Sequence, residues 1–325
     1  MTFAPSISRR APVLDEASSS RIPSLRTAAD ALSPQPLAEA ALLPAPSRHA
    51  AWKAFLRNPS ALAGLLLLAF VTLAAVFAHV LFPGDPLDMV ALPLLWPGQE
   101  APFVLGTDSL GRNVLAGLAH GGRVSLMVGA IAAAISLLIG VLVGATAGYF
   151  GGWLDDLLVR LTELVQTIPT FLLVIVIVAI GQPSVKVIVF AIGAASWPVI
   201  ARLVRAEFRT LRESEFVQAA RSQGFSDRWI IFREILPNAL PPVVVTTSVL
   251  VATAILMESA LSFLGMGDPN VVSWGSMIGE GRELLRTAWY LTAVPGAAII
   301  LTVLSLNLVG DGINDAFNPR LRGRS

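Results

Sequence analysis

Six long apolar runs constrain the fold of this 325-residue chain more than any other feature of its sequence. A helix needs about 20 apolar residues to cross a bilayer core of about 30 Å. The strands of a membrane barrel alternate in polarity over about 10 residues, whereas these runs are continuously apolar. We therefore predict an all-α membrane protein with six transmembrane helices, at about 61–82, 124–150, 160–181, 183–203, 235–260 and 288–310.

The composition excludes several classes of protein. Only 14% of the residues are charged and 54% are hydrophobic, whereas a soluble domain has about 25% charged residues. An ordinary cytosolic enzyme, a disordered protein and a nucleic-acid-binding protein are therefore excluded. A net charge of +1 produces no electrostatic field that would attract an anionic polymer. With no cysteine and three widely separated histidines, neither a disulfide nor a metal site is predicted.

Residues 1–47 differ from the rest of the chain because they are rich in Ser, Pro and Ala. They lack the apolar core of about 7–15 residues that a secretory signal requires. Acidic residues such as Asp15 and Glu16 argue against a transit peptide. We predict a disordered cytoplasmic tail over 1–47, followed by a transmembrane domain over 48–325.

Basic residues between the predicted helices set the orientation. If the N-terminus is cytoplasmic, fourteen Lys and Arg outside the distal tail fall on the cytoplasmic side and five on the other. The weakest segment is 151–160, where Asp155 and Asp156 outnumber Arg160. The bias predicts that both termini are cytoplasmic.

The second predicted helix has Gly140, Gly144 and Gly148 at four-residue spacing, with Ser136 one step earlier. Small residues on one face allow two helix backbones to approach closely in lipid. Tight packing within the bundle is the favoured interpretation, and a pore-lining role is the alternative.

The sequence also limits how transport would be driven. A P-loop requires G-x-x-x-x-G-K-[ST], and the two lysines of the chain follow Trp52 and Val185, so neither fits. An ion-driven carrier usually has ionisable residues at mid-membrane. The candidates all lie near predicted helix boundaries, which disfavours a carrier without excluding it: Arg160, Glu163, Glu258 and Asp311. A six-helix membrane protein can also be a channel, which is a third class beside an ion-driven carrier and the membrane part of an ATP-driven transporter.

The segment 202–235 is too polar to span a membrane and too regular to be a linker. Ser214 is placed to cap a short helix, in which Phe216, Val217 and Ala220 form an apolar strip. Gly224 would end this helix, and a second short helix would start at Ser226. The hairpin would either lie on lipid headgroups or bind a cytosolic partner, and the periodicity does not separate the two.

Here the chain resembles a known family. Gln218-Ala219-Ala220, Gly224 and Leu236-Pro237 are similar to the EAA loop of binding-protein-dependent ABC importers, with Gln in place of the Glu of that motif. Four further stretches resemble the C-type permease of the oligopeptide, dipeptide and nickel branch. They are residues 105–114, 148–153, 261–265 with 273–275, and 307–312 with Asp315 and 318–320.

The resemblance implies an architecture and a function. This chain and a homologous second permease would enclose the pathway, with two cytosolic ATPase subunits and an extracytoplasmic solute-binding protein as further partners besides membrane lipid. ATP and Mg would be bound by the ATPases, so this chain would bind no cofactor and would be no enzyme. The protein would be a multi-pass importer of di- or oligopeptides in a bacterial inner membrane. A nickel or glutathione importer is the alternative within the family.

The resemblance also implies which residues act. The EAA helix of the family is a coupling helix seated in a groove of an ATPase, which assigns that contact to Phe216, Gln218, Ala219, Ala220, Arg221, Gly224, Asp227, Arg228 and Pro237. A motif expected on the periplasmic side comprises Gly106, Thr107, Asp108, Gly111 and Arg112. This motif forms either a turn before a short amphipathic helix or a part of gating and binding-protein reception.

Overall fold

A computed structural model describes residues 48–317, and the side chains of 52–316. The predicted tail 1–47 and the segment 318–325 lie outside this range. The helices are α1 Arg48–Arg57, α2 Pro59–Val76, α3 Ala78–Leu81, α4 Val114–Phe150, α5 Gly152–Gln166, α6 Thr170–Gly181, α7 Val185–Arg212, α8 Glu215–Ser222, α9 Asp227–Trp229, α10 Leu236–Phe263, α11 Trp274–Gly281 and α12 Tyr290–Phe317. Apart from an isolated bridge between Thr107 and Asn113, this range contains no β structure.

Five helical segments of the described range are long and apolar enough to span a membrane, and a bent pair provides a sixth if it is one span. The predicted single helix 160–181 is this pair, α5 and α6, which meet at an angle of 78°. Pro169 causes the break, because it lacks an N–H group and disfavours helical geometry in Ile168. The predicted all-helical membrane fold is confirmed, with this correction to its third helix.

Two spanning helices extend beyond their predicted ends. α4 begins at Val114 rather than at 124. The Asn113 side chain caps this start by accepting hydrogen bonds from the N–H groups of Leu115 and Ala116. α7 continues to Arg212 rather than ending at 203. A search for apolar spans stops at the first charge, whereas Arg, Leu and Glu are good helix formers that continue the helix outside the apolar run.

The pairing of α4 with α7 is the most extensive helix contact of the bundle. A Cβ at Gly140 would lie 2.6 Å from the Ile200 Cβ, and one at Gly148 would lie 2.7 Å from the Phe208 Cβ. The Ser136 hydroxyl donates to the Gly193 carbonyl oxygen at 2.9 Å. The small residues of α4 therefore permit close packing within this chain, as the favoured interpretation predicted.

The predicted second short helix at Ser226 is not separate from the fifth span. A continuous helical segment runs over 227–263, with a π-helical turn at Ile230–Ile235 between α9 and α10. Pro237, Pro241 and Pro242 follow in the first turns of α10. A prolyl ring clashes with the carbonyl four residues before it, and the wider π turn directly before Pro237 relieves the crowding.

Both ends of the described range lie at the same end of the bundle. The Asn58 side chain caps α2 and donates from Nδ2 to the Asp315 carboxylate near the end of α12, at 3.2 Å. Ala75, at the other end of α2, lies beside Gly122 near the start of α4. We call the end where α4 finishes the loop end, and the end where α4 starts the motif end.

Candidate functional site

The loop end of the bundle presents residues 213–228, which we call the interhelical loop. Its short helix α8 ends in a Schellman motif: the Phe225 N–H donates to the Ala220 carbonyl and the Gly224 N–H to the Arg221 carbonyl. Gly224 has a φ of +80°, as a helix-ending glycine requires. Phe225 then stacks on Trp229 with ring centroids 4.0 Å apart, and Ser226 caps α9.

One face of α8 is buried within this chain. Val217 and Ala220, which is 6% exposed, join a core cluster with Phe208 of α7 and Ile230 and Ile235 of the π turn. Phe216, by contrast, is 40% exposed. The predicted apolar strip is therefore divided: Val217 and Ala220 pack on the chain itself, and Phe216 faces outward.

The outward face of the interhelical loop contains most of the residues predicted to contact an ATPase. Gln218, Ala219, Arg221, Gly224, Asp227 and Arg228 are exposed, as is Pro237 beyond the loop. Ala220 alone is buried, so its close neighbours are the side chains of its own core cluster. The predicted N-cap, Ser214, precedes α8, but its hydroxyl donates to the Leu211 carbonyl and makes no cap bond.

Two of these exposed residues contact the end of α4. The Tyr149 hydroxyl donates to the Asp227 carboxylate at 2.5 Å, and the Arg221 guanidinium lies over the Tyr149 ring, 5.5 Å from its centroid. Arg212 donates to the Tyr149 carbonyl oxygen at 3.0 Å. Tyr149 belongs to one of the quoted family-like stretches, but its contact with Asp227, 78 residues away, has no local signal in the sequence.

Farther along α7, Arg205 forms a bidentate ion pair with Asp155 of α5. The pair joins α5 to α7 close to the loop end. Asp155 and Arg205 entered the sequence analysis only as charges in the orientation count, so their pairing is a finding of the structure.

The predicted periplasmic-side motif forms a compact turn at the motif end. Thr107 is fully buried; its hydroxyl donates to the Leu92 carbonyl at 2.6 Å and accepts from the Leu95 N–H at 2.9 Å. The Asp108 carboxylate accepts from the N–H groups of Leu110 and Arg112, both at 2.8 Å. The turn leads directly into α4 and not into a separate amphipathic helix.

The two glycines of the motif have positive φ angles and close neighbours. A Cβ at Gly106 would overlap the Leu95 carbonyl oxygen, and one at Gly111 would overlap the Ala91 carbonyl oxygen. The Tyr290 hydroxyl of α12 lies 2.8 Å from the Thr107 carbonyl oxygen and 2.9 Å from that of Leu95. Most polar groups of the motif are therefore satisfied by its own backbone and by α12.

Two acidic groups at the motif end of the bundle have shifted pKa values. Partial burial raises the pKa of the Glu280 carboxyl in α11, although the Arg112 guanidinium 3.5 Å away acts in the opposite direction. The Asn270 and Val185 N–H groups hold the pKa of Asp268 below its usual range. The Arg112 guanidinium itself lies between the carboxylates of Asp108 and Glu280.

Glu258 lies inside the protein, near the motif end of α10, and is 2% exposed. Its carboxylate accepts hydrogen bonds from the hydroxyls of Ser125 at 3.0 Å and Ser262 at 2.8 Å. The Ser125 hydroxyl also accepts from the Trp274 N–H at 3.3 Å. The sequence placed Glu258 at a helix boundary and gave no indication of these partners.

The described residues hold no group of three or more His, Cys, Asp or Glu side chains arranged to bind a metal ion. Their chemistry is that of hydrogen bonds, ion pairs and apolar contacts between helices.

The fold is similar to that of a chain in a solved ABC transporter. A chain in an inward-facing crystal structure of the MetNI methionine ABC transporter superposes with a TM-score of 0.52, at 18% identity, over 62% of this chain and 96% of that one. At this identity the match supports the fold alone.

The chain belongs to the family of binding-protein-dependent transport system inner membrane components, whose model matches residues 140–323. Residues 48–97 match the N-terminal transmembrane domain of oligopeptide transport permease C. The Pseudomonas aeruginosa di/tripeptide transport system permease protein DppC is 37% identical over 83% of this chain and 91% of its own length. The Escherichia coli K12 oligopeptide permease OppC is 40% identical over 82% and 89%. The predicted family is confirmed.

Proposed function

We propose that this chain is a permease subunit of an ATP-driven importer of di- and oligopeptides. The relatives named as dipeptide, tripeptide and oligopeptide permeases, at 37% to 40% identity, support the substrate class. With a homologous second permease the chain forms the translocation pathway, and an extracytoplasmic binding protein delivers the peptide.

The interhelical loop is the proposed contact with one of two cytosolic ATPase subunits, which bind ATP and Mg. The observation that supports this most is the division of α8 into a face buried in its own chain and an exposed face that contains Phe216, Ala219 and Arg221. A loop that packs on its own spanning helices transmits a force applied to its outer face. A hairpin lying on lipid headgroups has no need of that packing.

The proposed orientation places the loop end in the cytoplasm, together with both termini. It rests on the excess of basic residues at that end. A reporter active only outside the cell is expected to work when fused near Gly98, Pro183 or Pro269, and to be silent after Gly224 or at Ser325. Activity after Gly224 would contradict both the orientation and the ATPase contact.

The experiment that tests the function is reconstitution of the four-subunit complex in liposomes with binding protein. We expect ATP-dependent uptake of a labelled dipeptide, competed by other di- and oligopeptides but not by nickel or glutathione. The chain alone is expected to hydrolyse no ATP. Uptake by this chain alone, driven by a proton gradient, would establish an ion-coupled carrier instead.

The ATPase contact is tested by Ala219→Trp, because Ala219 is exposed and its replacement leaves the core cluster intact. Overpacking a close contact costs about 1–3 kcal/mol, so we expect ATPase binding to weaken about 5- to 150-fold. Ser109→Trp, an exposed position at the motif end, is the control that leaves ATPase binding unchanged. Undiminished binding by Ala219→Trp would favour the lipid-surface hairpin. Ala220→Trp is a poor test, because Ala220 is buried within the chain.

A further inference from the structure

Helix α4 is in contact with the interhelical loop at one end and with the buried carboxylate of Glu258 near the other. Tyr149 at its loop end contacts Asp227, and Ser125 toward the motif end contacts Glu258. These two residues of α4 are separated by 24 positions, which in a helix is about 36 Å. The distance exceeds the thickness of a bilayer core, about 30 Å.

The contact at the loop end is specific and depends on one hydroxyl group. Tyr149 is 4% exposed, its hydroxyl donates to Asp227, and its ring lies under the Arg221 guanidinium. Asp227 and Arg221 flank the Schellman turn at Gly224, so a displacement of the loop would displace both side chains. A charge-assisted O–H···O⁻ bond of this kind is shorter and stronger than a neutral hydrogen bond.

The contact toward the motif end joins three helices through the buried Ser125 hydroxyl. The Ser125 hydroxyl of α4 donates to Glu258 of α10 and accepts from the Trp274 N–H, the first residue of α11. The Trp274 indole N–H also donates to the Leu118 carbonyl of α4 at 2.9 Å. A displacement of α4 along its axis would therefore move or break contacts that hold α11.

Helices α4, α7 and α10 all connect the loop with the surroundings of Glu258, and they differ in stiffness. α7 contains Pro198 in its interior. The segment through α10 contains a π turn and three prolines close to the loop. α4 contains no proline over Val114–Phe150 and packs closely on α7 through its glycines. Prolines, π turns and Gly/Ser pairs are the positions at which helices bend. The glycines Gly140, Gly144 and Gly148 of α4 are held against α7 at contact distance, so α4 is the stiffer connection.

We propose that Tyr149 is the positioning residue through which the interhelical loop moves α4, and that α4 transmits this movement to Ser125, Glu258 and α11 at the opposite end. The inference rests on the proposed function, because it requires an ATPase that displaces the loop. It assigns Asp227 and Arg221 to a contact within the chain, in addition to any contact with a partner.

The test measures peptide uptake per ATP hydrolysed in the reconstituted complex. Tyr149→Phe removes the hydroxyl and keeps the ring, so we expect normal assembly and ATPase activity but at least a three-fold lower uptake per ATP. Asp227→Ala removes the other partner of the bond and should also lower uptake per ATP; because Asp227 belongs to the proposed ATPase contact as well, its ATPase binding and hydrolysis are measured alongside. The double variant should be no worse than the more impaired single variant, because both lose the same bond.

Two control variants separate transmission from simple loss of a hydroxyl. Tyr290→Phe removes a buried tyrosine hydroxyl bonded to backbone carbonyls at the motif end, and is expected to lower thermal stability with uptake per ATP unchanged. Thr146→Val removes a hydroxyl of α4 that bonds only to its own helix, at Leu142, and is expected to be neutral. Ser125→Ala, by contrast, should lower uptake per ATP as Tyr149→Phe does.

Several outcomes would overturn the inference. They are a Tyr149→Phe complex with unchanged uptake per ATP, additive losses in the double variant, or a parallel fall in assembly, hydrolysis and uptake that indicates a structural role alone. Failure of the proposed function is a different result, because the wild-type complex would then show no ATP-driven peptide uptake before any variant is compared.

Discussion

The two ends of the bundle use similar residues in opposite ways. Each has glycine at a positive φ angle, an aspartate that accepts hydrogen bonds and neighbouring arginines. At the motif end, neighbouring backbone fills the space beside Gly106 and Gly111, and Thr107 is fully buried. At the loop end, no described atom lies within 4 Å of a Cβ at Gly224, and its neighbours are exposed.

The difference shows that the structural role of a motif of Gly, Asp and Arg depends on the residues that surround it. At the motif end these residues fold the connection before α4, and their partners belong to the same chain. At the loop end the fold depends on Val217, Ala220 and Tyr149, the last of which contacts Asp227 and Arg221, while exposed side chains such as Phe216 and Arg228 remain available to a partner. Substitutions should therefore damage folding at the first end and transport at the second.

The largest effect is expected from Gly106→Ala. A left-handed conformation costs a residue with a Cβ about 1–2 kcal/mol, and overpacking against the Leu95 carbonyl adds about 1–3 kcal/mol. We expect a total loss of about 2–5 kcal/mol and little folded protein in the membrane. Fluorescence-detected size-exclusion of detergent extracts measures the folded fraction. A normal yield would show that the motif does not need its compact turn.

A smaller loss is expected from Thr107→Val, which keeps the shape of the side chain but removes the hydroxyl. The Leu95 N–H loses its partner in a buried site, which costs about 1–3 kcal/mol, and the Leu92 carbonyl loses its partner in a partly buried site, where the cost is smaller. We expect destabilisation of about 2–4 kcal/mol, seen as a lower thermal midpoint in detergent. Ser109→Ala, at an exposed neighbouring position, is the control and should be neutral.

At the loop end, Gly224→Ala tests the opposite expectation. Only the positive φ angle opposes the substitution, so it should cost about 1–2 kcal/mol and leave the yield of folded protein normal. Uptake should fall more than stability, because a distorted Schellman turn changes how the outer face of α8 is presented. If Gly224→Ala lowers the folded yield as far as Gly106→Ala does, the contrast between the two ends is wrong.

The fold was largely predictable because it follows from local composition. Apolar runs locate the spans, and Pro169 is visible in the sequence as the cause of the break between α5 and α6. The ends of α4 and α7 were misplaced because both helices continue past a charged residue, α4 back beyond Arg123 to its cap at Asn113 and α7 through a run containing several arginines. Hydropathy measures the apolar run and not the length of the helix.

The site was less predictable because its contacts are between distant residues. Helical spacing placed Ala220 on an apolar face of α8, but spacing does not tell whether the chain itself or a partner covers that face. The bonds of Tyr149 to Asp227 and of Ser125 to Glu258 join residues 78 and 133 positions apart. Such pairs depend on how α4 packs in the bundle, which no local pattern encodes.

The smallest effect on stability is expected from Arg228→Ala, compared with Arg112→Ala. Arg112 lies between Asp108 and Glu280, and partly exposed ion pairs of this kind stabilise by about 0–1 kcal/mol. Arg228 is exposed and forms no ion pair within 48–317, so its removal should change stability by less than about 0.5 kcal/mol.

The two arginine variants distinguish the roles of the loop end and the motif end when ATPase affinity and thermal stability are both measured. If the loop is a partner surface, Arg228→Ala should weaken ATPase binding up to about five-fold, which corresponds to about 1 kcal/mol, with the thermal midpoint unchanged. Arg112→Ala should lower the midpoint slightly and leave ATPase binding as it is. The reverse pattern would mean that the motif end binds the ATPase, and a shift of both quantities in both variants would mean that the two ends do not act separately.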